Sequence, residues 1–264
     1  MKKYIVILFI SLFGFAQQTP APKQSRSILI TGAKAHLGNG KIIENSILSI
    51  VNGKIAAIGD ATVMKPSKHD ITIDASGKHI NPGFIAPNST LGLVEIDAVR
   101  ASDDESEIGE FNPHVRSIIA YNAESKLVET TRPNGVLMAQ ITPRGGRISG
   151  TSSIVQLDAW NYEDAAYKMD NGIYINMPSL MARRGRGGIM ARVPGADPAK
   201  QAQDKIETIK KFFSEAKAYY QEKTHTANNL KFEAVRGLFD GQQKLFVRAQ
   251  EVKQMLLAVD LAKT

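Results

Sequence analysis

Asp74-Ala75-Ser76-Gly77-Lys78-His79-Ile80-Asn81-Pro82-Gly83-Phe84-Ile85-Ala86-Pro87-Asn88-Ser89-Thr90 is the stretch at which the chain changes character. Before it, the pattern is strand and turn throughout. Residues 27–30 (Ser-Ile-Leu-Ile) lead towards a Gly38-Asn39-Gly40 turn. Residues 47–51 run into Asn52-Gly53, a dipeptide that accepts the positive φ angles of a type I′ hairpin turn. Residues 54–58 form the returning strand. Ile71-Thr72-Ile73 then alternates apolar and polar until Asp74-Ala75-Ser76-Gly77 stops it. No helical periodicity interrupts this region, so residues 27–81 are expected to fold as a compact β domain.

After Pro82-Gly83, apolar runs alternate with helical stretches. Phe84-Ile85-Ala86, residues 135–141 (GVLMAQI), residues 153–157 and Leu245-Phe246-Val247 each read as a buried strand. Residues 198–223 read as a helix, with Asp197 placed to cap it and Pro198 in the first turn, where its missing N–H costs nothing. Ala202, Ile206, Ile209, Phe213, Ala216 and Tyr220 fall on one stripe of that helix, and Val252, Met255, Leu256 and Val259 give the last helix an expected packing face. Such alternation implies a parallel sheet with helices outside it. A complete barrel of this kind takes about 250 residues and eight strands. Only four strands are readable here, and the chain stops within the apolar periodicity of its last helix. The expectation is either the N-terminal part of a longer protein or a half barrel completed by a partner.

Composition narrows the functional classes. Apolar residues make up 43% and charged residues 22%, enough for a sizeable core. The absence of Cys excludes disulfides, thiolate metal sites, a Cys nucleophile and a lipid-modified Cys anchor. Lys2 and Lys3, the apolar residues 4–15 and Gly14-Phe15-Ala16 read as a cleaved export signal over residues 1–16, too short to span a bilayer. Residues 17–26, rich in Gln, Pro and Ser, are expected to be a disordered tail. The mature protein is therefore expected outside the cytoplasm, periplasmic or secreted, with no membrane attachment. Net charge is +7, and Arg183-Arg184-Gly185-Arg186-Gly187-Gly188 resembles the Arg-Gly tracts of single-strand binders. One short loop is not a repeated tract, and no nucleic-acid partner is expected.

The run from Gly77 to Ile85, together with the β-first domain order, resembles the amidohydrolase superfamily, in which a small β-sandwich precedes a metal-dependent (β/α)8 barrel. The resemblance, to imidazolonepropionase-like and aminoacylase-like enzymes, covers residues 27–160 and, more loosely, the strand near 245. It implies an α/β fold: a small β-sandwich domain over 27–81, then an incomplete (β/α)8 TIM-type barrel over 82–264. It also implies a hydrolase acting on carbon–nitrogen bonds other than peptide bonds. In that family the residues after PGFI read Asp-x-His-x-His, and the two histidines hold a zinc ion that lowers the pKa of bound water to about 7. Ala86, Asn88 and Thr90 stand at those positions here. Where the family commonly reads Val-His-Ala at a later strand end, this chain has Val247-Arg248-Ala249, a permanent cation in place of a ligand.

These replacements leave the catalytic residues unassigned and no metal ligand set visible; zinc enters only if the family chemistry is retained. Asn88, Ser89, Thr90 and Arg248 become candidates for binding a small molecule at the barrel mouth. The alternative to a hydrolase is then an exported, non-catalytic small-molecule-binding relative, or a structural subunit of an intact amidohydrolase; a homo-oligomer is a further possibility. His36, His69, His79, His114 and His225 are scattered singly, in expected surface or structural roles. Asp103-Asp104-Glu105-Ser106-Glu107 offers hard ligands but lacks EF-hand spacing, and reads as a solvated loop. The loop over 145–153 lacks a P-loop ending, and no nucleophile elbow surrounds Ser149, Ser152 or Ser153. Trp160, the single Trp, is expected in the core.

Overall fold

The computed structural model describes residues 20–65, 67–180, 198–222 and 224–263. The expected export signal, the arginine-rich loop over 183–188 and the capping Asp197 lie outside the described residues. Of the expected tail, residues 20–26 are described: Gln24 donates to the Ile50 carbonyl and the Ala21 N–H to Asp158. None of the described helices is long and apolar enough to cross a membrane.

The fold is mixed α/β with two β-sheets, one of them a curled half-barrel. The first sheet contains β1 (Ile28–His36), β2 (Ile42–Val51), β3 (Lys54–Asp60), β4 (Ile71–Asp74) and β5 (His79–Ile80). Its order is β3-β2-β1-β4, with β5 also pairing β1; β2 is antiparallel to β1 and β3, while β4 and β5 run parallel to β1. Asn52 and Gly53 both take positive φ, 52° and 73°, which closes the β2–β3 hairpin on its two-residue turn. Three carboxylates brace this sheet at short range. Asp60 accepts from the N–H and hydroxyl of Thr62, Asp74 from those of Ser76, and Asp70 from those of Ser27. These bonds favour the charged form and hold all three carboxyls below the usual range.

The second sheet contains β6 (Phe84–Ser89), β7 (Val136–Ile141), β8 (Ile148–Gln156), β9 (Ala166–Asn176) and β10 (Lys244–Arg248), in the order β10-β9-β8-β7-β6. The expected all-parallel sheet needs correction. β6–β7 and β9–β10 are parallel, but β8 is antiparallel to both β7 and β9. The reason lies in the connections, because a parallel crossover needs a dozen or more residues and only residues 142–147 join β7 to β8. β9 is a fifth strand beyond the four readable ones.

Among the described residues six α-helices accompany these strands: α1 (Lys126–Thr131), α2 (Tyr162–Ala165), α3 (Pro198–Gln221), α4 (Leu230–Ala234), α5 (Arg236–Phe239) and α6 (Val252–Ala262). Two apolar clusters form the core. Ile118, Val128, Ala139, Ile141, Val155, Leu157 and Ala165 pack around the β7–β8 side. Ile148, Ile173, Ile175 and Val235 pack against Ile206, Ile209 and Ala216 of α3, on the stripe expected of that helix. Each fully buried isoleucine contributes about 1.5–3 kcal/mol over its exposed state.

Two expectations about packing are overturned. Val252, Met255, Leu256 and Val259 face outward, with Val252 74% and Leu256 63% exposed, while Gln254, Ala258 and Leu261 form the buried face of α6. Gln254 sets this orientation: its Oε1 accepts from the N–H groups of Gln250 and Glu251, and its Nε2 donates to the Pro178 carbonyl. Trp160 is 55% exposed rather than in the core. It sits in the turn before α2, where Leu157, Ala159 and Ala165 take the buried positions.

Candidate functional site

β8 runs against its neighbours, so its first residues lie at the rim formed by the C-terminal ends of β7 and β9, to which β6 and β10 add their own C-terminal ends by parallel pairing. The polar side chains that meet at this rim come from all five strands or the residues just after them. At the end of β6 the ladder slips: Ala86 pairs with Ala139 and Ser89 with Ile141, so Pro87 and Asn88 together oppose Gln140. This is a bulge, and Pro87, lacking an N–H, suits it. Asn88 adopts φ 51°, a left-handed conformation that Asn tolerates better than most residues. Its N–H donates to Gln140 Oε1 at 3.4 Å.

The bulge puts the Asn88 side chain between two arginines. Asn88 Oδ1 accepts from Arg144 Nη1 at 2.9 Å, Arg248 Nη2 at 3.1 Å and the Thr142 hydroxyl at 3.2 Å. Arg144 Nη2 also donates to the Asn88 carbonyl at 2.9 Å. Arg248 reaches the Pro143 carbonyl at 2.9 Å and the Ser149 hydroxyl at 3.4 Å, and its guanidinium lies over the Tyr174 ring, 4.5 Å from the centroid. A cation over an aromatic face gains about 0.5–2 kcal/mol, more as water is excluded. Arg248 Nε is buried and has no hydrogen-bond partner among the described residues. Burial, followed by the charge of Arg144, pulls the Arg248 pKa down to about 10.

Behind the arginines lies a buried polar row. The Tyr174 hydroxyl donates to Gln140 Oε1 at 2.9 Å, Gln140 Nε2 donates to Ser152 Oγ at 3.4 Å, and the Ser152 hydroxyl donates to Asn171 Oδ1 at 3.0 Å. Asn176 Nδ2 donates to the Gly146 carbonyl and to Ser149 Oγ, tying the loop after β7 to the end of β9. Burial pushes the Tyr174 hydroxyl up from its usual value. Glu105, from the acidic loop expected to be solvated, is half-buried with its carboxylate 4.0 Å from Arg144 Nε. Burial, then the neighbouring Asp103, raises its pKa.

Of the residues singled out in the sequence, the structure brings Asn88 and Arg248 into contact. Ser89 and Thr90 serve the turn instead. Ser89 Oγ accepts from the Leu91 N–H, its carbonyl from the Thr142 N–H, and the Thr90 carbonyl from the Leu93 N–H. Arg144, Gln140 and Tyr174 were missed. Arg144 carried a usable signal, since it stands three residues past the end of a barrel-type strand, where reactive groups collect. Ser149, Ser152 and Ser153 are buried and hydrogen-bonded. The histidines are not all single: His36 Nε2 and His79 Nδ1 lie 2.9 Å apart, linking β1 to β5. A cleft of about 460 Å³ sits at the opposite end of β9, between Lys168, Asp170, Glu233 and Arg236. Its Asp170 and Glu233 are already paired with Arg116 and Arg236, so the strand-end cluster is the stronger site.

Chemically, the cluster is a donor set. Two permanent cations and a hydroxyl converge on one neutral oxygen, with no imidazole beside them. Among the described residues no three His, Asp or Glu side chains come together. The residues present do not fit a divalent metal ion, because Asn88 Oδ1 is already engaged by two guanidinium groups whose charge opposes a further cation.

An α/β chain with a curled half-barrel and a polar cluster at its strand ends defines the class to which it is compared. The chain resembles an amidohydrolase from Thermotoga maritima MSB8 with a TM-score of 0.71 and 19% identity, over 89% of this chain. This likeness shows an amidohydrolase-like fold. The chain spans 61% of that protein's length. No family model matches the chain, and no curated protein matches its sequence.

Proposed function

We propose that this chain is a relative of the amidohydrolases in which the metal-binding positions have been given over to ligand recognition. On this reading the two sheets correspond to the small β-sandwich and the first part of the (β/α)8 barrel. The rim at Asn88 and Arg248 then binds a small molecule by hydrogen bonds rather than hydrolysing a carbon–nitrogen bond at zinc. The observation that carries it is the convergence of Arg144 and Arg248 on Asn88 Oδ1, where the family resemblance would put metal ligands. Export fits the same reading: residues 1–16 would be removed, and a binding protein outside the cytoplasm needs no cofactor supply. The test is metal content and a thermal melt of the purified chain, with and without chelator. The expected result is no stoichiometric metal and a melt indifferent to chelator. Stoichiometric zinc with a chelator-sensitive melt would overturn the reading and restore the hydrolase.

A second reading has one observation in its favour. The outward stripe Val252, Met255, Leu256 and Val259 on α6 suits a structural subunit of an intact amidohydrolase or a homo-oligomer. Light scattering of the chain across a concentration series separates a homo-oligomer from a monomer.

A further inference from the structure

We propose that the rim takes a monocarboxylate, one of whose oxygens replaces Asn88 Oδ1 between Arg144 and Arg248; this inference rests on the rim being a ligand site. Three donors, two of them guanidinium N–H groups, surround an amide oxygen that carries only a partial charge. Guanidinium forks form their strongest bonds with anionic oxygens, in paired, planar geometry. The amide oxygen therefore stands in for a carboxylate oxygen at this position. A second, independent sign is Arg248 Nε, buried without a partner among the described residues, so that one N–H of the fork is unused while Asn88 occupies the cradle.

The occupant is displaceable. Asn88 is exposed and sits in the bulge at the end of an edge strand, so its side chain can turn outward without disturbing the sheet. Charge selects the ligand class. Arg144 and Arg248 carry two positive charges and the neighbouring Glu105 one negative, leaving a single positive charge for the ligand to neutralise. That balance fits a carboxylate and disfavours a dianion such as phosphate, whose second charge would meet Glu105.

The experiment is a thermal melt of the full chain with sodium acetate, and separately inorganic phosphate, at constant ionic strength, on the wild type, Asn88→Asp and Arg248→Gln. Asn88→Asp places a carboxylate in the cradle through the protein's own backbone. It should melt above the wild type and no longer respond to acetate. Wild type should gain roughly 3 °C at a tenfold excess of acetate over its dissociation constant, and Arg248→Gln should not. Asn88→Asp melting below the wild type, or keeping its acetate response, would overturn the proposal, even if Arg248→Gln fails to fold. Phosphate raising the wild-type melt as much as acetate overturns the monocarboxylate assignment while leaving a ligand site at the rim. No response of the wild type to either anion overturns the monocarboxylate assignment, while the rim reading is decided separately by the metal content and the chelator melt.

Discussion

The two sheets solve the same problem in different ways. In the first, polar side chains find partners mostly close by: Asp60 with Thr62, Asp74 with Ser76, and Ser46 with the Ala33 carbonyl across one strand pair. In the second, Gln140, Thr142, Ser149, Ser152, Ser153 and Asn171 are buried, and the row they form draws on side chains from distant parts of the chain. Arg248 reaches Asn88, Tyr174 reaches Gln140, and Gln140 reaches Ser152. Buried polar groups cost free energy unless each is satisfied, and a shared network binds its members' fates together. A sheet that needs only to stand avoids such a network. The second sheet carries one where its strand ends converge, which is where a site would be built.

That contrast can be broken most directly in the core. Ile173→Ala, at a fully buried position of the second sheet, should cost roughly 2–5 kcal/mol in urea denaturation. Ile55→Ala, on an exposed position of the first sheet, should stay within about 0.5 kcal/mol. Equal losses at the two positions would end the distinction. Next in size, Gln140→Leu removes the acceptor of the Tyr174 hydroxyl and should cost about 1–3 kcal/mol. A double-mutant cycle with Tyr174→Phe should give a nonzero coupling, because removing both partners leaves neither stranded.

The smallest effects concern pH, and the two sheets should differ in sign. Glu105 has a raised pKa, so its contribution is present below its ordinary value near 4.5 and is lost as pH rises through the raised value. Glu105→Gln should therefore gain on the wild type as pH rises through that window. Asp74 has a lowered pKa, so its contribution is present above 3.8 and is lost as pH falls through the lowered value. Asp74→Asn should be less stable than the wild type at neutral pH, with the difference vanishing in acid. Melting curves from pH 3 to 7, a range chosen around these carboxyl values, would check both slopes.

What was legible in the sequence follows the same division. The Asn52-Gly53 hairpin and the α3 stripe are written in neighbouring residues, and both can be read from them. β9 could not, because Asp170-Asn171-Gly172 spells a turn in mid-strand. Asp170 does take φ 52°, and the β8–β9 register slips between Ser152 and Ile154, so the strand carries a bulge there. α6 shows a stripe, but periodicity alone does not say which face turns inward; the bonds of Gln254 decide that. Asn88 and Arg248 stand out through the family resemblance, which marks those two strand-end positions. Gln140 was not, because one polar residue in GVLMAQI looks like an edge of a core strand until its partners on other strands are known.

The antiparallel β8 also bears on the order in which the chain folds. Residues 136–176 make up a three-stranded meander joined by short connections, so its closure entropy is small. β6 must return across α1, and β10 across α3, α4 and α5, before either can pair. Local pairings form ahead of distant ones, so in pulse-labelled hydrogen exchange the β8 amides should be protected before those of β10. Since Asn88 comes from β6 and Arg248 from β10, the guanidinium cradle should assemble after the meander.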